Sequence, residues 1–205
     1  MERSNIKHLY YIVHLDNLPS ILKLGIICHN KVGTKKIADV SNSDVQKRRA
    51  AVEVPGTNKP LHDFANLYFN PRNAMMFVRK DLHEDLCVLA VSSSIIDLPN
   101  AIITDGNAAS GATIFLKAST GLSRLSHKGV MTKDWRDEDS IVMDEKRRVA
   151  CAEILIPDRV DPGFFREIYV SCTATKTRVI NLLGTHNLSK HVVVNADMFF
   201  QQEES

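Results

Sequence analysis

The sequence predicts an α+β fold. Short apolar segments rich in β-branched residues, which are typical of strands, are spread along the whole chain, and short helical segments lie between them. The two kinds of segment do not alternate in the regular strand–helix order of a doubly wound sheet. With 205 residues, 44% of them hydrophobic, the chain is long enough to bury a core. We therefore expect a single domain over residues 1–205.

The N-terminal part of the chain predicts a strand, a polar corner and a short helix. The apolar run Ile6–Val13 predicts a strand that stops at His14. A helix is expected over Asn17–Leu24, because Asp16 and Asn17 are good N-caps and a proline falls in the first turn. Gly25 follows the helix in the position that favours a left-handed residue. The corner between strand and helix therefore offers an imidazole and an amide to a polar ligand, although ordinary capping explains it equally.

Two helices and a strand are predicted in the next part of the chain. Asp44–Ala51 predicts a short helix with a charged face, and Leu67–Phe69 predicts a short strand. A helix is expected to begin at Asn70-Pro71, with Ala74, Phe77 and Val78 facing inward.

The rest of the chain predicts five strands, one helix and one irregular region. Residues 107–145 are mixed and polar, without clear periodicity, so they predict either a helical excursion or a functional loop. The predicted strands are Leu86–Ser92, Ala101–Thr104, Val149–Pro157 and Phe165–Cys172, followed by a helix over Thr175–Leu183 and a last strand over His191–Val194.

Composition and motifs exclude several classes of protein. No apolar run reaches the roughly 18 residues of a membrane span, and the N-terminus lacks the apolar region of a secretory signal. The four cysteines are scattered, so we expect them to be reduced and mostly buried in a soluble, cytoplasmic protein. Phosphate-loop, dinucleotide-fingerprint, zinc-protease and serine-hydrolase motifs are absent from the sequence. His14, His62 and His127 lack metal-ligand spacing, so no metal is expected.

Positive charge is concentrated in two places. The net charge of +2 is too small to indicate nucleic-acid binding by itself. However, residues 31–49 are basic, and Lys146, Arg147 and Arg148 form a second cluster. Each cluster alone is compatible with an ordinary solvated face. Two basic segments that flank one cleft would instead form a phosphate-binding surface.

Glu153 is the most unusual acidic residue of the chain. Its neighbours within three positions are all apolar or small. A carboxylate on such a strand is costly to bury unless it is paired or used in catalysis. The alternative interpretation is an edge-strand acid that points to water.

Two further groups of residues are candidates for binding. Tyr68 and Phe69 end a strand and run into a helix, and aromatic rings in such a place can stack on a flat heterocycle. Arg72, in the first turn of the predicted helix, could meet a phosphate or a carboxylate. Arg48 and Arg49 could clamp a pyrophosphate. Core packing is the alternative for the aromatic residues, and an exposed helix face is the alternative for the arginines.

The order of these features resembles the ADP-ribosyltransferases. In those enzymes a histidine, an aromatic residue and a glutamate lie on separate strands around NAD. In finer detail the chain resembles the DarT toxins of the DarT–DarG toxin–antitoxin systems, over most of its length from about His8 to Val170. The resemblance rests on the blocks that begin at His14, Gln46, Leu61, Tyr68, Thr104 and Lys146.

The resemblance implies a fold, a reaction and partners. The fold would be ADP-ribosyltransferase-like, with central mixed or antiparallel sheets flanked by short helices. The enzyme would use NAD as co-substrate, without a metal, to place ADP-ribose on a base in single-stranded DNA, and would release nicotinamide. The partners would be single-stranded DNA and a cognate antitoxin, either a macrodomain or another ADP-ribosyl hydrolase, and no membrane.

The resemblance also implies roles for individual residues. Glu153 would be the catalytic glutamate. Arg49 would be the second catalytic group, with Arg48 as the alternative one position away. The implied cofactor-binding residues are His14, Asn17, Leu22, Arg49, Tyr68, Phe69 and Arg72. The implied DNA-binding residues are Lys47, Arg48, Asn107, Lys146, Arg147 and Arg148, and the excursion over residues 107–145 would carry the loop that reads the target base.

The chain departs from the resemblance at one informative position. After Thr104, Asp105 and Gly106, the thymidine-modifying members are expected to have a histidine, whereas this chain has Asn107. The target base is therefore left open between thymine and guanine. Two other functions also stay open: an ADP-ribosyltransferase that acts on RNA or protein, and a nucleic-acid-binding module without turnover.

Overall fold

The computed structural model describes residues 1–33 and 43–200, and its main feature is an eight-stranded sheet. The strands of the described chain are β1 (His8–His14), β2 (Ile26–Ile27), β3 (Glu53–Val54), β4 (Lys59–Pro60), β5 (Phe64–Tyr68), β6 (Leu86–Ser92), β7 (Ile102–Thr104), β8 (Phe115–Lys117), β9 (Glu153–Pro157), β10 (Arg159–Val160), β11 (Phe165–Val170) and β12 (Val192–Val194). The helices are α1 (Leu18–Leu24), α2 (His29–Val32), α3 (Ser43–Ala50), α4 (Ala74–Val78), α5 (Ala118–Gly121), α6 (His127–Val130), α7 (Ser140–Ala150) and α8 (Thr173–Leu183).

The large sheet has the strand order β12-β11-β6-β1-β5-β9-β7-β8. Its neighbours pair antiparallel except β11 and β12, which are parallel. Two small ribbons, β10–β2 and β3–β4, complete the described strands. Strands and short helices are mixed without regular alternation, so the predicted α+β class with a mixed sheet is confirmed.

The centre of the sheet brings four distant segments side by side. β1 pairs with β6 along its whole length, from His8 opposite Ser92 to His14 opposite Leu86. On its other side β1 meets β5, and β5 pairs with β9, so that Tyr68 lies opposite Glu153. Each face of these strands packs on its own cluster of apolar side chains. This arrangement brings the aromatic residue and the acid to one end of the sheet.

The corner after β1 differs in detail from the prediction. A short 3-10 helix over Leu15–Asn17 precedes α1, and the predicted strand and helix are both present. The capping atom belongs to His14, whose Nδ1 accepts the backbone N–H of Asp16 at 3.2 Å. Gly25 ends α1 with a φ of 87°, and a Cβ there would lie 2.3 Å from the carbonyl oxygen of Val160. The predicted left-handed glycine is therefore confirmed, and its close contact excludes other residues.

The strand predicted over Val149–Pro157 begins later than expected. α7 continues to Ala150, and the Cys151 N–H still bonds to the Arg148 carbonyl. The apolar residues before Glu153 thus belong to the end of a helix rather than to a strand. Glu153 becomes the first residue of β9 instead of its middle.

The prediction for α4 was wrong in two respects. The helix begins at Ala74 rather than at Asn70, and the Asn73 side chain caps it by accepting the N–H groups of Met75 and Met76. Phe77 and Val78, which were expected to face inward, are 45% and 58% exposed. A five-residue helix has little more than one turn, and here Met76 is the side chain that it buries completely.

The region over residues 107–145 contains short elements within an irregular chain. β8 adds an edge strand beside β7, and α5 and α6 follow it before α7 begins. Three cysteines, Cys28, Cys87 and Cys151, are buried as predicted. In the described part of the chain, no helix combines the length and apolar character that crossing a bilayer requires.

Candidate active site

A cleft of about 1300 Å³ opens at the end of the sheet where β1, β5 and β9 meet. Its walls come from α1, α3, α4, α7 and the turn after β7. It brings together eight of the residues that the sequence analysis named: His14, Asn17, Arg48, Arg49, Tyr68, Asn107, Arg147 and Arg148.

A buried ion pair adjoins this cleft, with Arg49 in the cleft lining and Glu153 buried behind the lining. The Arg49 Nη1 atom donates to both carboxylate oxygens of Glu153, at 3.0 and 3.1 Å. The Glu153 side chain is 1% exposed and the Arg49 side chain is 8% exposed. Glu153 Oε1 also accepts the backbone N–H of Ala108 at 3.0 Å. The acid is therefore paired, and the alternative of an edge-strand acid in water is excluded.

The backbone of Glu153 is fixed as firmly as its side chain. The Glu153 N–H donates to Thr104 Oγ1 at 3.0 Å, and the same hydroxyl donates to the Gly106 carbonyl at 2.7 Å. Thr104 is fully buried at the end of β7. The Thr-Asp-Gly turn thus connects the start of β9 to the loop that supplies the Ala108 N–H.

Arg49, not Arg48, touches the glutamate. Burial alone would lower the pKa of Arg49, but the charge of Glu153 and its hydrogen bonds outweigh burial and raise that pKa. Arg48 is exposed and lines the wall of the cleft. The geometry therefore resolves the ambiguity between the two arginines in favour of Arg49 as the partner of Glu153.

The predicted aromatic pair is divided between the cleft and the core. Tyr68 lines the cleft beside the ion pair, and its hydroxyl donates to the Met75 sulfur at 3.5 Å. Burial, and then the charge of Glu153, raise the pKa of the Tyr68 phenol, so it stays neutral. Phe69 is buried among core side chains. Core packing, the alternative interpretation, holds for Phe69, whereas Tyr68 packs against a core cluster and also lines the cleft.

The corner after β1 forms another wall of the cleft. Because His14 Nδ1 accepts a backbone N–H, the neutral ring carries its proton on Nε2 and presents an N–H donor. Asn17 is buried at the start of α1 and also lines the cleft. Leu22, predicted to bind the cofactor, lies on the other face of α1 and packs in the core. The Leu22 prediction is thus contradicted, because a helix with a buried apolar face turns that face away from the cleft.

Arg72 is also placed differently from its prediction. Its guanidinium donates to the carbonyl oxygen of Phe199 and lies 3.9 Å from the ring centroid of Phe200. Burial lowers the pKa of Arg72. Arg72 does not line the described cleft, because these contacts direct it to the C-terminal segment.

Four of the five predicted DNA-binding cations are exposed on the surface of the protein. Arg48 and Arg147 are exposed on the cleft wall, although Arg147 pairs with Asp144 at 2.7 Å. Lys47 and Lys146 are exposed outside the lining of the cleft. Part of the basic segment over residues 31–49, namely residues 34–42, lies outside the described residues.

Arg148 has a structural role instead. Its guanidinium pairs with Glu145 at 2.7 Å and with Asp105 at 3.0 Å, and it donates to Thr113. The hydrogen bonds of Glu145 and then of Asp105 raise its pKa. A Cβ on Gly106 would lie 2.2 Å from Arg148 Nη1, so a larger residue there would displace this guanidinium. Arg148 therefore fixes the turn after β7 onto α7 and is not available to phosphates, contrary to the prediction.

One cluster beside the cleft was missed by sequence reasoning. His62 Nε2 lies 3.1 Å from the Gln46 amide oxygen, and its ring stacks on His29 with a centroid separation of 4.2 Å. The cluster connects α3, which carries Arg49, to the chain before β5. Burial, then the positive charges of His29 and Arg49, lower the pKa of His62. The sequence spacing of these three residues gave no signal of their proximity.

Among the residues that the structure describes, no group of histidine, cysteine, aspartate and glutamate side chains is arranged to hold a metal ion. The Arg49 guanidinium and the neutral Tyr68 phenol line the cleft, and the Glu153 carboxylate lies behind them, paired with Arg49 and with the Ala108 N–H. Such a set can stabilise positive charge on a bound molecule and accept a proton from it.

Replacing Arg49 with alanine tests the buried ion pair. The change leaves the Glu153 carboxylate buried without its counter-ion, so we expect the free energy of unfolding to fall by about 3–5 kcal/mol. Urea denaturation measures the difference. Arg48→Ala is the matched control on the same helix and should change stability by no more than about 0.5 kcal/mol. The account of the pair is contradicted if the two variants are equally stable, or if adding Glu153→Gln to Arg49→Ala restores none of the loss.

The lowered pKa of His62 predicts a pH dependence of stability. Its folded pKa lies below the unfolded value of about 6.5, so the unfolded chain takes up the proton first as the pH falls. The contribution of His62 to stability is thus complete above pH 6.5 and is lost as the pH falls toward the folded pKa. We expect His62→Asn to reduce the slope of unfolding free energy against pH between 7 and 5.

Urea denaturation over this pH series measures the slope. The slope should not vanish in the variant, because burial lowers the pKa of His8 as well. An unchanged slope in His62→Asn would show that the His62 ring does not titrate as the structure indicates.

Comparison with known proteins gives the family. The family model described as "ssDNA thymidine ADP-ribosyltransferase, DarT" matches residues 10–200. A DNA ADP-ribosyl transferase–DNA ADP-ribosyl glycohydrolase fusion protein of Thermosipho africanus is 36% identical over an alignment of 205 positions, which covers 95% of this chain and 50% of that protein. The chain thus spans about half the length of this curated relative. A DNA ADP-ribosyl transferase of Escherichia coli is 26% identical, with 94% of this chain and 93% of that protein covered.

Solved structures agree with this result. Thermosipho africanus DarTG in complex with ADP-ribose superposes with a TM-score of 0.79 at 32% identity, covering 95% of this chain and 51% of that one. Thermus sp. 2.9 DarT in complex with ADP-ribosylated single-stranded DNA has the same fold, with a TM-score of 0.83 at 23% identity and coverage of 96% and 97%. The chain belongs to the DarT family and has the ADP-ribosyltransferase fold.

Proposed function

We propose that this chain is an NAD-dependent ADP-ribosyltransferase toxin that modifies a base in single-stranded DNA and releases nicotinamide. The observation that carries the proposal is the buried Arg49–Glu153 pair, which adjoins a large cleft that Arg49 lines. A buried carboxylate held by two donors, next to a space of substrate size, is the arrangement expected of a catalytic group rather than of a stabilising one.

The cleft fits NAD in size and in chemistry. Its volume of about 1300 Å³ exceeds the roughly 300–1,000 Å³ of ordinary small-molecule sites, so a dinucleotide and a nucleotide can both enter. His14 offers an N–H donor and Asn17 an amide at one wall, and the neutral Tyr68 phenol offers a flat, partly apolar surface beside the ion pair. We assign nicotinamide and its ribose to this wall.

The reaction joins a base atom to the ribose C1′ and breaks the bond between that carbon and nicotinamide. NAD supplies the ADP-ribosyl group, and nicotinamide leaves with the electron pair of the broken bond. Glu153 stabilises the positive charge that develops on the ribose, and its carboxylate accepts the proton that the base loses. Arg49 fixes the direction of both carboxylate oxygens of Glu153 through its hydrogen bonds.

Single-stranded DNA is the proposed acceptor because a base inside a duplex cannot reach such a site. Arg48 and Arg147, exposed on the wall of the cleft, suit the phosphates of a strand. The printed names of the Thermosipho africanus and Escherichia coli relatives support DNA as the substrate, and the Thermus structure contains ADP-ribosylated single-stranded DNA.

The target base is thymine or guanine. The description of the matching family names thymidine, which supports thymine. Asn107, which lines the cleft where a histidine is expected in thymidine-modifying members, is the observation that favours guanine.

The proposed partner, besides DNA, is an antitoxin that removes ADP-ribose from DNA. The Thermosipho africanus relative joins a transferase and a glycohydrolase in one protein, which supports such a pairing. We further propose that residues 1–205 act as one transferase domain in the cytoplasm, where NAD and DNA are both present.

Incubation with labelled NAD tests the substrate class. Wild-type protein is mixed in separate reactions with single-stranded DNA, RNA and a protein extract, and we expect label in the DNA alone. Oligonucleotides that lack either thymine or guanine then identify the base, because one of the two should lose all label. Label in RNA would indicate an ADP-ribosyltransferase that acts on RNA, and label in protein would indicate one that acts on protein. Nicotinamide release from none of the mixtures would leave only a binding module.

A further inference from the structure

We propose that Phe77, at the rim of the same cleft, is a stacking platform for a base that neighbours the modified one, with Lys80 beside it for a phosphate of the strand. The inference rests on the proposed DNA-modifying function and adds to it a contact outside the reacting centre. It starts from an exposed aromatic ring that the sequence analysis expected to be buried.

Phe77 is held in place by two other aromatic rings. Trp135 meets it edge to face, with a centroid separation of 5.9 Å, and Phe200 does the same at 5.2 Å. Trp135 and Phe200 also meet each other at 5.4 Å. The three rings form one cluster that fixes the orientation of Phe77, yet 45% of Phe77 stays exposed toward the cleft, which it lines. A rigid exposed ring binds a flat partner with little loss of conformational entropy.

Arg72, which does not line the cleft, supports this aromatic cluster from below. The Arg72 guanidinium lies 3.9 Å from the Phe200 centroid and donates to the Phe199 carbonyl oxygen. Phe199 is fully buried, and Met76 anchors α4 in the same apolar cluster. Phe77 is therefore presented by a scaffold that is anchored on two sides.

The charges around the ring favour a nucleic acid over a protein partner. The Lys80 Nζ atom lies over Phe77, 5.4 Å from its centroid. Among the described residues that line the cleft, Asp144 is the acid, and it is paired with Arg147. Apart from Arg49 and Arg148, whose charges are used in the ion pairs described above, the cations that line it are Arg48, Arg79 and Arg147. Aromatic rings interleaved with cations are the usual features of sites for single-stranded nucleic acid.

The position of Phe77 relative to the ion pair assigns it to a neighbouring base. Tyr68 lies opposite Glu153, its hydroxyl reaches Met75, and Phe77 follows two residues later on α4. The platform thus lies beyond Tyr68 toward the rim, while the reacting base must reach the base of the cleft. A strand with one base inserted would place the next base at the rim.

Binding of DNA in the absence of NAD tests the platform without turnover. The probes are a labelled 12-nucleotide strand of mixed sequence and an abasic strand with the same number of phosphates, followed by fluorescence anisotropy. We expect Phe77→Ala to weaken binding of the base-containing strand about tenfold and to leave binding of the abasic strand unchanged. Phe77→Tyr should restore the affinity.

Matched variants separate stacking from charge. Val78→Ala, at the exposed neighbour on α4, should bind both strands like wild type. Lys80→Ala should weaken binding of both strands and reduce the slope of log affinity against log salt by about 0.7. Trp135 is the single tryptophan, so quenching of its fluorescence by the base-containing strand, and not by the abasic one, should report the same contact.

Two results would overturn the platform. In the first, the Phe77→Ala variant binds the base-containing strand as tightly as the Val78→Ala variant does, as expected if the surface docks a protein. In the second, the Phe77→Ala variant has a higher KM for NAD and an unchanged affinity for DNA. If the proposed function is wrong and the platform is right, the result is different. The wild-type protein would then bind DNA through Phe77, and the DNA would not be modified.

Discussion

The structure depends on the burial of one pair of opposite charges. Glu153 and Arg49 are both removed from water, and desolvation of each ion costs several kcal/mol. Their mutual hydrogen bonds, with the Ala108 N–H, compensate for that cost only if three segments meet within about 3 Å. α3, the start of β9 and the loop after β7 are therefore placed by the requirement that neither charge stays unpaired.

The surroundings of the pair serve this requirement. Thr104 ties the backbone of Glu153 to the Thr-Asp-Gly turn, and Arg148 fixes that turn onto α7. On the opposite side, the contact between His62 and Gln46 holds the helix that carries Arg49. Because the pair is buried by protein and not by a ligand, the Glu153 carboxylate is paired and oriented before any substrate enters. A preorganised site of this kind avoids the cost of reorganisation during the reaction.

Local patterns in the sequence correctly predicted the features that depend on neighbouring residues alone. The apolar run over Leu86–Ser92 is found as predicted, and Glu153 was recognised because an acid among apolar neighbours requires a partner. Arg72, Leu22 and Arg148 were misplaced for a common reason. Whether a side chain faces a cleft, a core or an ion pair depends on distant segments, such as the C-terminal residues that receive Arg72. Phe77 was misjudged because a helix of five residues is too short for the spacing of its apolar residues to identify the buried face.

We propose that Glu153, held by Arg49, promotes the transfer of ADP-ribose from NAD to a DNA base. The most direct test of this proposal is mass spectrometry of nucleosides from single-stranded DNA treated with NAD and either wild-type protein or Glu153→Gln. The account predicts a nucleoside heavier by one ADP-ribosyl group with the wild-type protein and none with the variant, provided the variant is shown by circular dichroism to be folded. Equal amounts of modified nucleoside from the two proteins would contradict it.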